Sequence, residues 1–522
     1  MESELFTRAD REQLDRLGIP LEEVLRQLEA FRGPKPFLHL ERPCTVGDGI
    51  RVLSEEEKDS LEEAFSQAAR EGRCLKFVPA SGAATRMFKV LMKFLHEDPP
   101  PAPDEIVQRA RDGEEEAALL IRFLENLDQF AFFPDLVSSM QREGMDPLQL
   151  ARSLSYGKIL EHLLTDRGLN YGSLPKGLLK FHSYPEGART PFEEHLMEAA
   201  AYVRDAQGLC RLHFTVSPEH LSSFQALLER VRPDYEERLL VRFQVEFSIQ
   251  HSSTNTLAVD LQNRPFRLDD GSLLFRPAGH GALLENLNGL QGDIVFIKNI
   301  DNVVPDPLKE ATFRWKRILG GLLVTLQERI HRILRALHED KAGEELLREA
   351  SRLAEDELSR QVPEIPSDSS RWISHLRDAL NRPLRVCGVV RNVGEPGGGP
   401  FWVRDKDGQL SLQIVESAQV DHQDPGQEAV WRAATHFNPV DVVCGLRDFR
   451  GRPFDLRRYR DPGAVIITRK SKDGRDLKAL ELPGLWNGAM AHWNTVFVEV
   501  PPETFNPVKT VFDLLRPEHR PQ

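Results

Sequence analysis

The stretch that most narrows the possible folds is FRPAGHGALLENLNGLQGDIVFIKNIDNVVPD, from Phe275 to Asp306. A glycine–histidine–glycine turn opens a short amphipathic segment, which leads into the apolar run IVFI and ends on the polar tetrad Asn299, Ile300, Asp301 and Asn302. A short continuous apolar run reads as a strand covered on both faces. Such strands belong to α/β sheets, whose ligands sit just beyond the carboxyl ends of the strands. Asp301 therefore stands where a carboxylate holds a divalent cation and the phosphates of a nucleotide. The competing role for it is a buried aspartate that caps a turn.

At 522 residues the chain exceeds one small core, and roughly 150 residues per domain predicts about three units. A formal net charge of -13 argues against a surface that tracks nucleic-acid backbone, while a few convergent cations still suffice for a small anion. The five cysteines form no CxxC pair. Neither a thiolate zinc site nor a disulfide framework is expected, and a reducing cytoplasm is the simplest location. The charged N-terminus lacks a signal-peptide core, and no run approaches the ~18 apolar residues of a membrane span.

Residues 1–70 read as helix, loop, helix: LDRLGIPLEEVLRQLEAF, the extended link PKPFLHLERPCTVGDGI, then SEEEKDSLEEAFSQAAR with a serine cap and acidic first turn. CLKFVPASGAATRMFKVLMKFL follows as strand, small-residue loop and helix, the way nucleotide-binding α/β units begin. Residues 97–170 open on EDPPPAPDE and continue as amphipathic helices, an insertion over the sheet or a lid that closes on substrate. Alternation resumes from Leu174, residues 308–360 are helical, and ELSRQVPEIPSDSSR reads as a linker. From Leu384 to Val420 the pattern turns β-rich, with GEPGGGP as a turn. The expected divisions are an N-terminal helical region 1–70, a nucleotide-binding α/β core 71–380 carrying the insertion, and a β-rich region 381–522.

In VPASGAATRMFK, small residues Ser81, Gly82 and Ala83 let backbone N–H groups approach a nucleotide, and the following helix N-terminus favours phosphate. Arg86 adds a guanidinium fork for phosphate oxygens. The same turn also precedes buried helices in many cores. In SLPKGLLKFH, Lys176 follows a proline that fixes the backbone and is a candidate point charge for phosphate, or else a solvated loop lysine. Gly279, His280 and Gly281 face nucleotide or sugar through backbone groups, or serve only the turn. Gln250, ending the strand in FSIQHSSTNT, meets base or sugar, or is an ordinary strand-end polar residue. ELPGLWNGAMAHWNT sets Trp486 and Asn487 close to Trp493, which suits a sugar ring as well as it suits a tight core turn.

Taken together, these pieces resemble the nucleotidyltransferases that make nucleotide sugars on a glycosyltransferase-A type sheet. PAGHGALLENLNGLQGDIVFIKNIDN is similar to the glycine–histidine–glycine and NIDN segments of the UDP-glucose and UDP-N-acetylhexosamine pyrophosphorylases, and VFVEVPPETFNPVKTVFDLL to that branch's VEVP, PVK and DLL segment. LSLQIVESAQVD and THFNPVDVVCGLRDF resemble the glutamate-bearing strand and asparagine loop of its sugar pocket. The chain as a whole resembles the bacterial domain of unknown function 4301 family.

The resemblance implies an α/β fold of glycosyltransferase-A (Rossmann-like) type, a mixed sheet flanked by helices, with a helical insertion and a C-terminal β-rich region. It implies a nucleoside triphosphate and a sugar 1-phosphate as partners, a UDP-sugar as product, and pyrophosphate release. Mg2+ would be held by Asp301 and the phosphates, with Arg86, Lys176 and Lys509 binding phosphate and Glu416, Asn438, Trp486 and Asn487 meeting the sugar. Three departures stand out: alanines in ASGAATRM where glycines are usual, a long separation between Arg86 and Lys176, and FNPVD in place of an asparagine-rich loop. A glycosyltransferase on the same sheet and a non-catalytic nucleotide- or sugar-binding module are the alternatives. Sugar, base and oligomeric state stay open.

Overall fold

The structure is a computed structural model and describes residues 5–82, 84–339, 341–362, 369–394 and 398–520. The chain forms two compact units that alternate along the sequence. The first comprises Met1–Phe77, Ser248–Ile297 and Lys316–Pro502, and the second Val78–Phe247, Lys298–Trp315 and Glu503–Gln522.

In the first unit, strands follow the order Thr45–Val46, Gly49–Arg51, Asn494–Glu499, Leu384–Arg391, His436–Gly445, Ile294–Lys298 and Cys74–Pro79. The IVFI run is the strand Ile294–Lys298, parallel to Cys74–Pro79, with Ile294 opposite Cys74 and Ile297 opposite Phe77. All its residues are buried, as cover on both faces requires. Leu384–Arg391 runs parallel to Asn494–Glu499 and antiparallel to His436–Gly445, so the sheet is mixed. One face packs Phe77, Ile297, Val389, Val442 and Phe497 with Leu485 and Trp493.

The N-terminal 70 residues are not wholly helical. Helices Arg8–Leu17, Leu21–Arg32 and Glu55–Arg70 are present, but the expected link between them contains three strands. His39–Pro43 pairs with Gly399–Arg404, which pairs with Leu410–Val415. Leu40 thereby enters a small core with Phe401, Val403 and Val415. Such pairing is chosen by side-chain packing against partners, and here the partner is far away in the chain. Residues 395–397 of the GEPGGGP turn and 363–368 of the linker lie outside the described residues. The strands flanking that turn belong to different sheets.

Within the helix Lys309–His338, Gly320 and Gly321 let Glu55–Arg70 approach closely. A Cβ on Gly321 would overlap the Leu61 carbonyl, and one on Gly320 would meet the Phe65 ring at 2.5 Å. Glycine to alanine in an open helix normally gains about 1 kcal/mol. Gly321→Ala should instead lose about 1–3 kcal/mol through overpacking, read as a lowered midpoint in urea unfolding. A raised midpoint would refute this contact.

In the second unit, residues 97–170 carry the helices Pro103–Arg111, Glu115–Glu125, Phe133–Gln141, Pro147–Arg152 and Tyr156–Leu164. They bury Leu120, Phe123, Phe132, Leu160 and Leu163 in one cluster with Phe88 and with Val508, Val511 and Leu514 of the C-terminal segment. Strands Leu209–Val216 and Arg242–Ile249 are neighbours, and Phe192, Phe214, Phe224 and Phe247 pack ring against ring. A buried polar network also lies here. Glu194 accepts from Tyr184 Oη at 2.8 Å and from Lys309 Nζ, and its Oε1 lies 2.8 Å from His182 Nδ1. All five cysteines are buried, as thiols. Among the described residues no helix is long and apolar enough to cross a membrane.

Candidate functional site

The small-residue loop after Cys74–Pro79 is held by backbone bonds within the second unit. Ala80 N–H donates to Thr215 O at 2.8 Å, Ala84 N–H to Leu174 O at 3.1 Å, and Lys176 N–H to Gly82 O at 3.3 Å. Val511 N–H donates to Met87 O at 3.1 Å. The long sequence separation between VPASGAATRM and SLPKGLL is thus closed in space, with the helices of 97–170 looped out between them. Gly177 explains part of the fit: a Cβ there would meet the Phe224 ring at 2.9 Å and Ile300 at 3.3 Å.

That close approach delivers the Lys176 ammonium to Asp301. Lys176 Nζ donates to Asp301 Oδ2 at 2.7 Å and to Val508 O at 2.6 Å. Lys509 Nζ lies 3.6 Å from the same Oδ2. The side chains of Asp301 and Lys176 are 9 % and 13 % exposed, whereas that of Lys509 is 58 % exposed. Burial works to raise the Asp301 pKa, but the two lysines outweigh it and the net shift is downward. The carboxylate is therefore ionised throughout the neutral range.

Neighbouring residues position this group. Val508 N–H donates to Asp301 O at 3.1 Å, and Asn302 Nδ2 donates to Thr504 O at 3.2 Å while its Oδ1 accepts Asn506 N–H at 2.8 Å. Asp513 Oδ2 accepts the N–H groups of Lys509 and Thr510 at 2.8 and 2.6 Å. Asn302 and Asp513 hold the backbone around this group; the sequence showed them only as the second asparagine of NIDN and the aspartate of DLL, with no role assigned. Arg86 is exposed, has no hydrogen-bond or ion-pair partner among the described residues, and does not join the cluster. Ser81 and Gly82 are exposed, and Ala83 lies outside the described residues.

The first unit gathers a second group of the expected residues. His280 stacks on Trp486 with ring centroids 4.1 Å apart, and its Nδ1 accepts Leu485 N–H at 3.0 Å. Its Nε2 lies 3.4 Å from Glu416 Oε1. Asn487 Nδ2 donates to Gln419 Oε1 at 3.1 Å, and Asn487 Oδ1 is buried with no partner among the described residues. Burial raises the Glu416 pKa, but bonds from His280, Trp486 and Asn487 bring it below its ordinary value. The flanking glycines admit the segment 481–484: a Cβ on Gly279 would meet the Glu481 carboxylate at 2.8 Å, and one on Gly281 would overlap the Pro483 carbonyl. Gln250 Nε2 faces its own loop, 3.3 Å from Thr254 Oγ1 and 3.4 Å from Asn255 Oδ1. Asn438 is buried, and among the described residues neither polar atom of its side chain has a partner. Trp493 is part of the apolar core.

Among the described residues no cluster of three or more His, Cys, Asp or Glu is arranged to hold a metal ion. A protein cage for a metal is therefore absent from them. A Mg2+ ion needs only one or two carboxylates when substrate phosphates and waters complete its shell. Asp301 fits that role: both lysines approach Oδ2, and Oδ1 accepts no bond from the described residues.

Two ammonium groups against one carboxylate leave a net positive charge, so the molecule is a mixed α/β protein with a cationic site suited to an oxyanion. The chain belongs to the family described as Domain of unknown function (DUF4301), whose model matches residues 7–520. No curated protein matches it. Among solved structures it is similar to the uridine diphosphate N-acetylglucosamine pyrophosphorylase of Trypanosoma brucei, at 13% identity and TM-score 0.47 over 98% of this chain and 79% of that one. A UDP-glucose phosphorylase from the same organism gives 13% identity and TM-score 0.45 over 97% and 77%. A mutant UDP-glucose pyrophosphorylase from Leishmania major gives 14% identity and 0.42 over 94% and 73%.

Proposed function

We propose that this protein is a nucleotidyltransferase of the UDP-sugar pyrophosphorylase type, joining a nucleoside triphosphate to a sugar 1-phosphate with release of pyrophosphate. The observation that carries this reading is the convergence of Lys176 and Lys509, from distant segments, on one carboxylate oxygen of Asp301. In this reaction a sugar-phosphate oxygen attacks the α-phosphorus and the pyrophosphate leaves, so the protein's task is alignment and charge neutralisation. Lys509, largely exposed, takes phosphate charge directly, and Lys176 holds Asp301 ionised and oriented. Asp301, together with the substrate phosphates, would hold a Mg2+ ion, which would supply further charge neutralisation. The Glu416, His280, Trp486 and Asn487 group offers an aromatic face beside hydrogen-bonding groups, a combination suited to a sugar.

The test is to incubate the folded protein with Mg2+, each nucleoside triphosphate and a panel of sugar 1-phosphates, and to measure pyrophosphate. Release with one pair, and its loss on chelation of the metal, is the expected result. Silence from every pair overturns the reading. Lys509→Ala is expected to fold with unchanged stability, because the side chain is mostly in water, and to lose roughly 10²–10³-fold in turnover. Near-normal turnover would remove Lys509 from the phosphate set.

A further inference from the structure

The first unit contains another group of cations, with no residue in common with the two groups above. A cavity of about 900 Å³ is lined by Phe37, Leu410 and Ile414 among its apolar residues and by Arg360, Arg382 and His492. Arg360 donates from Nε to Asn494 Oδ1 at 3.0 Å and from Nη2 to the Trp493 carbonyl. Arg382 donates from Nε to Asp378 O at 2.7 Å and from Nη1 to His492 O at 3.1 Å. Every acceptor is neutral, and among the described residues neither guanidinium has a carboxylate partner.

Arg385 adds a third charge. It is fully buried, donates to Thr495 Oγ1 at 2.9 Å and Trp486 O at 2.6 Å, and its Nη2 has no partner among the described residues. Burial pushes the Arg360 pKa down to about 9, and Arg382 and Arg385 push the same way, yet the group is still a cation at neutral pH. Asp405, Asp407 and Asp461 also line the cavity, and Asp378 acts on Arg382 at longer range, but none of their carboxylates pairs with Arg360 or Arg382; Asp405 Oδ1 accepts the N–H groups of Asp407 and Gln409, and Asp461 Oδ1 accepts that of Gly463. Arg360 and Arg382 are half-buried at the cavity wall, and a charge with no carboxylate partner among the described residues is available to an anion from solution.

We propose that this cavity binds a phosphorylated small metabolite whose phosphate is taken by Arg360 and Arg382. Guanidinium forks match phosphate oxygens, and the cavity lies within the roughly 300–1,000 Å³ of small-molecule sites. Its apolar lining takes the carbon skeleton.

The test is the thermal unfolding of the full chain titrated with sodium phosphate or ribose 5-phosphate, against sodium chloride at equal ionic strength. A ligand of the folded state raises the midpoint by mass action. Both phosphates should raise it while chloride does not, with ribose 5-phosphate acting at the lower concentration. Lys509→Ala should keep the response, and Arg382→Gln should weaken apparent affinity by about tenfold or more, as expected for loss of a charge-assisted bond. Should Arg382→Gln not fold, Arg382→Lys serves in its place: it keeps the charge without the fork and should also bind about tenfold more weakly. No response in the wild type, or an unchanged response in the folded Arg382 variant, overturns the proposal.

Discussion

Asp301→Ala should abolish pyrophosphate release and destabilise the protein at the same time. Lys176 is held in a nearly buried place by Asp301 Oδ2 at 2.7 Å and Val508 O at 2.6 Å. Removing the carboxylate leaves its ammonium with one neutral acceptor, and breaking a buried pair from one side costs about 3 kcal/mol. Lys509 returns to water at little cost, being mostly exposed already. Turnover should fall by at least roughly 10²–10³-fold, the loss expected when a preorganised charge is removed. Urea unfolding measures the first effect and pyrophosphate release the second. Asp301→Asn separates them, since the amide oxygen still accepts from Lys176: it should recover most of the stability and little of the turnover. Full turnover in Asp301→Asn would show that the negative charge has no part in the reaction.

The second large effect is one of stability alone. Glu194→Ala removes the acceptor shared by His182, Tyr184 and Lys309, in a place where the side chains of Glu194 and Lys309 are 0% and 2% exposed. The orphaned Lys309 keeps its 2.6 Å bond to Asp306, so the loss should be about 3–5 kcal/mol, read as a lowered urea midpoint. The pH dependence has a definite sign. Burial raises the Glu194 pKa, but His182 and Lys309 outweigh it and the folded value is lowered. The unfolded state therefore takes up the proton first as pH falls. The stabilisation is complete above the unfolded glutamate pKa of about 4.3 and is lost as pH drops through the folded value. The variant should show a flatter stability profile over that acid range. An equal slope in both proteins would assign the acid sensitivity to other groups.

Much of the local architecture was legible in the residues. IVFI could be placed as a doubly covered strand because an uninterrupted apolar run has few other uses, and Asp301 follows from it because a strand end is a local fact. The serine cap at Ser54 and the helices of 97–170 were visible for the same reason, being written in neighbouring residues. The strand His39–Pro43 was not, because it is short, contains a proline, and exists through pairing with Gly399–Arg404.

The candidate site divides in the same way. Lys176 looked like any loop lysine beside a proline, and only its ion pair with Asp301, 125 residues away, distinguishes it. Arg86 had the stronger local motif yet stays outside the ion-pair cluster. Arg360, Arg382 and Arg385 carried no signal at all, since an arginine is ordinarily solvated or paired and only the neutral acceptors around them among the described residues set them apart.

By itself the sequence determined the α/β class, the strand that ends near Asp301 and the residue types available for phosphate, because hydrophobic runs, caps and small-residue turns act over a few residues. Tertiary structure alone decided which charges meet. Long-range packing, through Gly177 against Phe224 and Ile300 and Val508 beside Asp301, sets the ångström-scale distances on which Coulomb energies and pKa values depend.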